Sequence, residues 1–171
     1  MKKAILENLL QLVIALGFVF LLTNFVIFPS QVDGSSMNPT LTHGDFLIID
    51  RISKNFDRYE RFDVVVFRHD EEKFYIKRII GMPGESLSIE NHLIYIDGKL
   101  LKEPYSFDEM TYDGYHQYPV EIPNGYYFVL GDNRNHSTDS RFNDVGLVAE
   151  EDLVGKGFLR IFPFQQIGII E

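Results

Sequence analysis

The chain has 171 residues, 45% of them hydrophobic, with 25 acidic side chains against 16 lysines and arginines and a net charge of -9. An acidic chain offers no basic footprint for phosphates, which excludes nucleic acid as a partner. It has no cysteine, so disulfides and thiolate metal sites are excluded as well.

Lys2 and Lys3 precede an uncharged, strongly apolar run over residues 9–28. As a helix this run spans about 30 Å, one hydrocarbon core, and Pro29 is placed to stop it. A cleavable signal peptide also begins with positive charge and an apolar run. This run is long for that, and Phe28-Pro29-Ser30-Gln31 offers no small-x-small cleavage site. The pattern therefore predicts a retained anchor: residues 1–8 cytoplasmic, 9–28 transmembrane, and 29–171 an extracytoplasmic domain at the cell membrane. About 140 residues remain for that domain, enough for a core without staples. Because the domain is acidic, its contact with the bilayer has to rest on the anchor and on apolar surface rather than on charge.

Beyond the anchor the pattern is short strands and turns. Strands are predicted at 46–49, at the β-branched run 64–68, and at 75–80 after the charged turn His69-Asp70-Glu71-Glu72-Lys73. Segments 87–89, 93–96 and 99–101 form a meander, with Asp97-Gly98 as a tight hairpin turn. Residues 102–120 are polar and Tyr-rich without periodicity, and are expected to be a surface excursion. Further strands are predicted at 125–130 and 157–162. The expected fold class is mostly β: a folded-over sheet or partial barrel with a β insertion at about 82–125, preceded by one transmembrane helix.

Two side chains carry the chemistry. Ser36 lies in Gly34-Ser35-Ser36-Met37-Asn38-Pro39, a few residues beyond the anchor, and Lys77 lies in Tyr75-Ile76-Lys77-Arg78-Ile79-Ile80. A hydroxyl is a weak nucleophile until a base takes its proton. Burial lowers a lysine pKa, so a desolvated amine can be that base. Strand alternation puts Lys77 with Tyr75 and Ile79, and Arg78 with Phe74, Ile76 and Ile80. Neither face is polar, so at least one cation must be buried or paired. Arg78 keeps its charge and needs a carboxylate, with Asp132 a candidate. The loop Gly131-Asp132-Asn133-Arg134-Asn135-His136-Ser137-Thr138-Asp139-Ser140-Arg141 also permits a Ser36-His136-Asp139 triad. That triad ranks second because it leaves Lys77 unexplained. His43, His69, His92 and His116 show no metal-ligand spacing, and no metal or other cofactor is expected.

These motifs, in this order and over nearly the whole chain, resemble the bacterial type I signal peptidases, specifically the small single-anchor kind of Gram-positive bacteria. The resemblance implies a membrane-anchored serine endopeptidase that removes signal peptides from exported pre-proteins after small-x-small motifs. It implies Ser36 as nucleophile, Lys77 as general base and an acyl-enzyme intermediate. It further implies that Ser137 orients the lysine, and that Asp139 with Arg141 and Arg78 with Asp132 hold the site together. The substrate is expected to add as a β-strand between the segment after Phe28 and the strand before Lys77. In some members a serine two residues before the nucleophile supplies an oxyanion donor; here that position is Gly34. The oxyanion region is thus reduced to Gly34, Ser35 and the Ser36 N–H. Two other classes compete. A self-cleaving repressor would need a DNA-binding domain that is absent here, and an anchored β-domain without catalysis would function without Ser36.

Overall fold

The computed structural model describes residues 2–21, 26–52, 59–71, 73–105, 107–114 and 117–170. The chain opens with helix α1, Lys2–Leu21. Every large apolar side chain along it from Ile5 to Leu21 is more than half exposed. Among the described residues, no helix is long and apolar enough to cross a membrane. The predicted span 9–28 also ends differently. Residues 22–25 lie outside the described residues, and Ile27 and Phe28 belong to strand β1, Ile27–Gln31. β1 pairs antiparallel with β2, Phe46–Asp50, from Ile27 opposite Asp50 to Gln31 opposite Phe46. An apolar pattern alone does not distinguish a helix end from a sheet-edge strand, and here the partner strand decides.

The main sheet has eight strands, all neighbours antiparallel. β3 is Val64–Arg68, β4 Phe74–Gly81, β9 Tyr126–Leu130, β10 Val148–Ala149, β11 Leu153–Phe162 and β12 Gly168–Ile169. Their order is β1-β2-β11-β3-β4-β9-β10, with β12 also on β11. β11 is long enough to serve three partners: Leu153–Lys156 face β3, Lys156–Phe162 face β2, and Leu159 and Arg160 face β12. Register shifts between Gly157 and Leu159 and between Arg160 and Phe162 interrupt its ladder with β2. Such irregularities bend a strand and raise its twist.

β3 shows why the sheet is buried on both faces. Val64 and Val66 join Val32, Met37, Leu41, Leu47 and Ile49 in one apolar cluster. Val65 and Phe67 join Ile79, Tyr127, Val129 and Leu153 in another. A second sheet, order β7-β6-β5-β8, is built from Ser86–Glu90 (β5), Leu93–Ile96 (β6), Lys99–Leu100 (β7) and Val120–Glu121 (β8). Its apolar face, with Leu87, Ile89, Ile94 and Ile96, meets Ile80, Phe128 and Leu130 at the ends of β4 and β9. The fold is mostly β with a single N-terminal helix, as the sequence pattern predicts.

Candidate active site

The segment carrying Ser36 is fixed at both ends. Val32 N–H donates to Asp45 O, Gly44 N–H donates back to Val32 O, and Met37 and Leu41 are 1% exposed in the core. Between these anchors Gly34 adopts φ +100°, a left-handed conformation that side-chain-bearing residues avoid. Its N–H donates to His43 Nδ1 at 3.3 Å, beside the Asp33 carboxylate.

Lys77 lies mid-strand in β4, opposite Val65 of β3. The structure brings it to Ser36 across 41 residues of sequence, with Nζ 2.9 Å from Ser36 Oγ and 3.0 Å from Ile76 O. Both adjacent cations are buried: Lys77 is 4% exposed and Arg78 0%. Alternation sends them to opposite faces and to opposite fates. Lys77 Nζ stands 5.2 Å from the Tyr75 ring, and burial lowers its pKa to about 8 against the opposing pull of Asp139 and Asp132. Arg78 has its carboxylate: Nε and Nη2 donate to Asp132 at 2.9 and 2.7 Å, Nη1 donates to Phe62 O, and Thr40 Oγ1 donates to Asp132 Oδ2. A bidentate pair of this kind compensates the cost of burying both charges.

The loop from Gly131 to Arg141 closes the site from the β9 side. Asp139 accepts from Arg141 Nε and Nη2, each at 2.8 Å, and from the N–H groups of Gly131 and Arg141. Its carboxylate is thus directed at Arg141 and the loop backbone. His136 lines the groove, but the Ser36 hydroxyl pairs with Lys77, so the Ser-His-Asp arrangement is not assembled. Ser137 departs from its expected bond to the lysine. Its Oγ is buried without a hydrogen-bond partner, because the Lys77 amine points to Ser36 and the Ile76 carbonyl. Gly131 explains the tight fit: a Cβ there would lie 2.2 Å from Ser137 Oγ and 2.4 Å from Ser36 O. His116, considered above for metal spacing, lies outside the described residues.

Ser36 and Lys77 open into a groove of about 490 Å³. Its walls include Phe28, Ser30 and Val32 on one side and Phe74, Tyr75 and Ile76 on the other. These are the two segments between which an extended substrate was expected to lie.

A protein-family model described as signal peptidase, peptidase S26, matches residues 5–162. Signal peptidase I S of Bacillus subtilis is 37% identical, over 97% of this chain and 94% of its own. Signal peptidase IB of Staphylococcus aureus is 33% identical over the same shares. This chain belongs to the signal peptidase S26 family. Members of the family are serine peptidases, so the protein is a hydrolase. Among solved structures, a signal peptidase I from Enterococcus faecalis is 31% identical, covering 57% of this chain and 95% of that one with a TM-score of 0.48.

Some residues around this groove were not singled out from sequence. Asn133 donates its N–H to Ser36 O at 3.0 Å and its side-chain amide to Ser35 O at 3.1 Å, holding the Ser36 segment from behind. Its place in the motif Gly131-Asp132-Asn133-Arg134 was the only available signal. The described part of 102–120 is not a free surface excursion either. Met110 is 6% exposed in the core, and Glu103 pairs with the buried Arg134. The polar composition that made the segment look solvated reflects contacts to another polar loop.

Proposed function

We propose that this protein removes N-terminal signal peptides from exported pre-proteins after small-x-small motifs, with Ser36 as nucleophile and Lys77 as general base. The observation that carries the reading is a lysine amine, buried and lowered to about 8, lying 2.9 Å from a serine hydroxyl at the floor of an open groove. In the reactive state the amine is neutral and the direction of that bond reverses, so that Ser36 O–H donates to Lys77 Nζ. Attack on the scissile carbonyl transfers the proton to the amine. The resulting ammonium donates it to the leaving nitrogen as the acyl-enzyme forms. Neutral again, Lys77 takes a proton from water, whose attack frees the signal peptide and restores Ser36.

The tetrahedral oxyanion is met by the Ser36 N–H. Because the Gly34 N–H is directed to His43, the exposed Ser35 hydroxyl is the second donor in this reading. Such a donor is worth about 2.7–4 kcal/mol. Asp139 with Arg141, and Arg78 with Asp132, keep the loop and strand in place.

Exposed apolar surface supports a location at the membrane. The sequence is uncharged from Asn8 to the end of α1 at Leu21, and stays uncharged through residues 22–25. In water its exposed leucines and phenylalanines would have no cover. A second apolar surface lies on β2, β11 and the segment to β12: Phe46, Phe162 and Phe164 stack edge to face, with Ile167 and Ile169 exposed nearby. Patches of this kind mark membrane or protein contacts. In this reading residues 1–8 are cytoplasmic, the span begins at residue 9, and the domain that follows, including the 82–125 insertion, is extracytoplasmic with its groove near the bilayer.

The test uses a membrane-inserted pre-protein with an Ala-x-Ala site. Ser36→Ala and Lys77→Ala should each abolish cleavage, and His136→Ala should largely spare it. Full activity in Lys77→Ala would overturn the mechanism.

A further inference from the structure

The segment from Glu103 to Gly114 lies across the back of the 131–141 loop, on elements the reaction does not touch. Glu103 accepts from both terminal nitrogens of Arg134, the Nη1 bond being 3.1 Å. The Tyr105 hydroxyl donates to Glu103 and accepts from Arg134 Nη2 at 3.0 Å. Two aromatic rings complete the grip: Tyr105 at 3.8 Å from Arg78 Cζ, and Phe107 at 4.4 Å from Arg134 Cζ. Further along, Asp108 N–H donates to Asp132 O, Thr111 donates twice to Asn135 Oδ1, and Arg141 donates to Tyr112 O.

We propose that this strap, through Glu103, Tyr105 and Phe107, is a positioning element that holds Arg134 and with it the loop behind Ser36. The inference rests on the assignment of Ser36 and Lys77 made above. The chain of contacts is continuous. Arg134 Nε donates to Gly131 O at 3.1 Å, and Gly131 packs so closely that a Cβ there would overlap Ser137 Oγ and the Ser36 carbonyl. Asn133, next to Arg134, holds the carbonyls of Ser35 and Ser36. Arg134 is 2% exposed, so without the Glu103 carboxylate its charge must draw water into the loop. Loosening the loop also admits water to Lys77, whose pKa is lowered by its dry surroundings. The groups facing Lys77 are Asp139 and Asp132 from the loop, Tyr75 from its own strand, and His136 along the groove. None of them is changed by altering the strap.

The experiment uses the full chain in detergent with an Ala-x-Ala peptide, measuring rate per folded molecule across pH for Glu103→Gln and Tyr105→Phe. For Glu103→Gln the expected result is about a tenfold fall in kcat with KM nearly unchanged, and a rising pH limb displaced upward. Tyr105→Phe should move both in the same direction by less. A merely structural strap would lower the folded fraction and leave kcat per folded molecule and the pH limb in place, which overturns the proposal. If Glu103→Gln does not fold, Tyr105→Phe decides by the same criterion. Ser36→Ala in the same assay separates the two ideas. Its retaining activity sinks the active-site assignment itself, whereas an inactive Ser36→Ala beside wild-type-like strap variants sinks only the strap.

Discussion

At the scale of the residue, Lys77 and Arg78 show how one strand treats two neighbouring cations in opposite ways. Arg78 cannot give up its proton and is matched by Asp132, with both side chains 0% exposed. Lys77 has no carboxylate within its hydrogen bonds and is poised to lose its charge, its pKa lowered to about 8. Its ordinary value lies near 10.5, so between about pH 8 and 10.5 the unfolded chain holds more protons at this position than the folded one. Stability therefore rises with pH across that window, and below it the folded protein bears a penalty of roughly 3 kcal/mol. Lys77→Met should accordingly raise the urea midpoint at pH 7, with the gain shrinking toward pH 10.5. Arg78→Met should do the reverse, costing about 3–5 kcal/mol at pH 7, because Asp132 is left buried without its cation. The activity of the unaltered protein should rise with pH through a limb near 8 as the Lys77 amine deprotonates.

At the scale of the element, the loop after β9 matters more than its lack of regular structure implies. Its first residue has no room for a side chain, since a Cβ at Gly131 would overlap both Ser137 Oγ and the Ser36 carbonyl. Gly131→Ala should push these apart and lower kcat by at least about a hundredfold, in keeping with the sensitivity of catalysis to small displacements. A circular dichroism spectrum close to that of the unaltered protein would show that the sheet survives. Strands with a clear local signal were legible in the sequence. β3 reads as a continuous apolar run because both of its faces are covered. The β6–β7 turn reads from Asp97-Gly98, which take φ of 50° and 73°. β1 was absorbed into the apolar run before it, and β11 begins at Leu153, four residues before its predicted start. Gly155 and Gly157 interrupt its pattern, yet the backbone still pairs with β3 and β2. The two-residue strands β8, β10 and β12 are too short to carry any periodicity.

At the scale of the whole molecule, α1 supplies no residue to the three apolar clusters of the β fold among the described residues. The β elements therefore hold their core without it. A variant lacking residues 1–25 should cleave a soluble Ala-x-Ala peptide within a few-fold of the full chain, and should lose most of its rate on a membrane-inserted pre-protein. Equal rates of both variants on the inserted substrate, measured side by side in vesicles, would remove the anchor from the proposal. The net charge of -9 points the same way, since an acidic domain gains nothing electrostatically at an anionic bilayer and depends on its apolar surface.

From the sequence alone came the mostly β fold class, the single N-terminal helix, the family resemblance and the pairing of an alcohol with an amine in chemistry. These are properties of local periodicity and of motifs in a fixed order, which a one-dimensional string retains. Only the tertiary structure decided that Asn133 would hold Ser35 across 98 residues and that Glu103 would cover Arg134. A buried polar group accepts whichever complementary partner the packing delivers. That choice depends on the distance between strands and leaves no mark in the residues on either side.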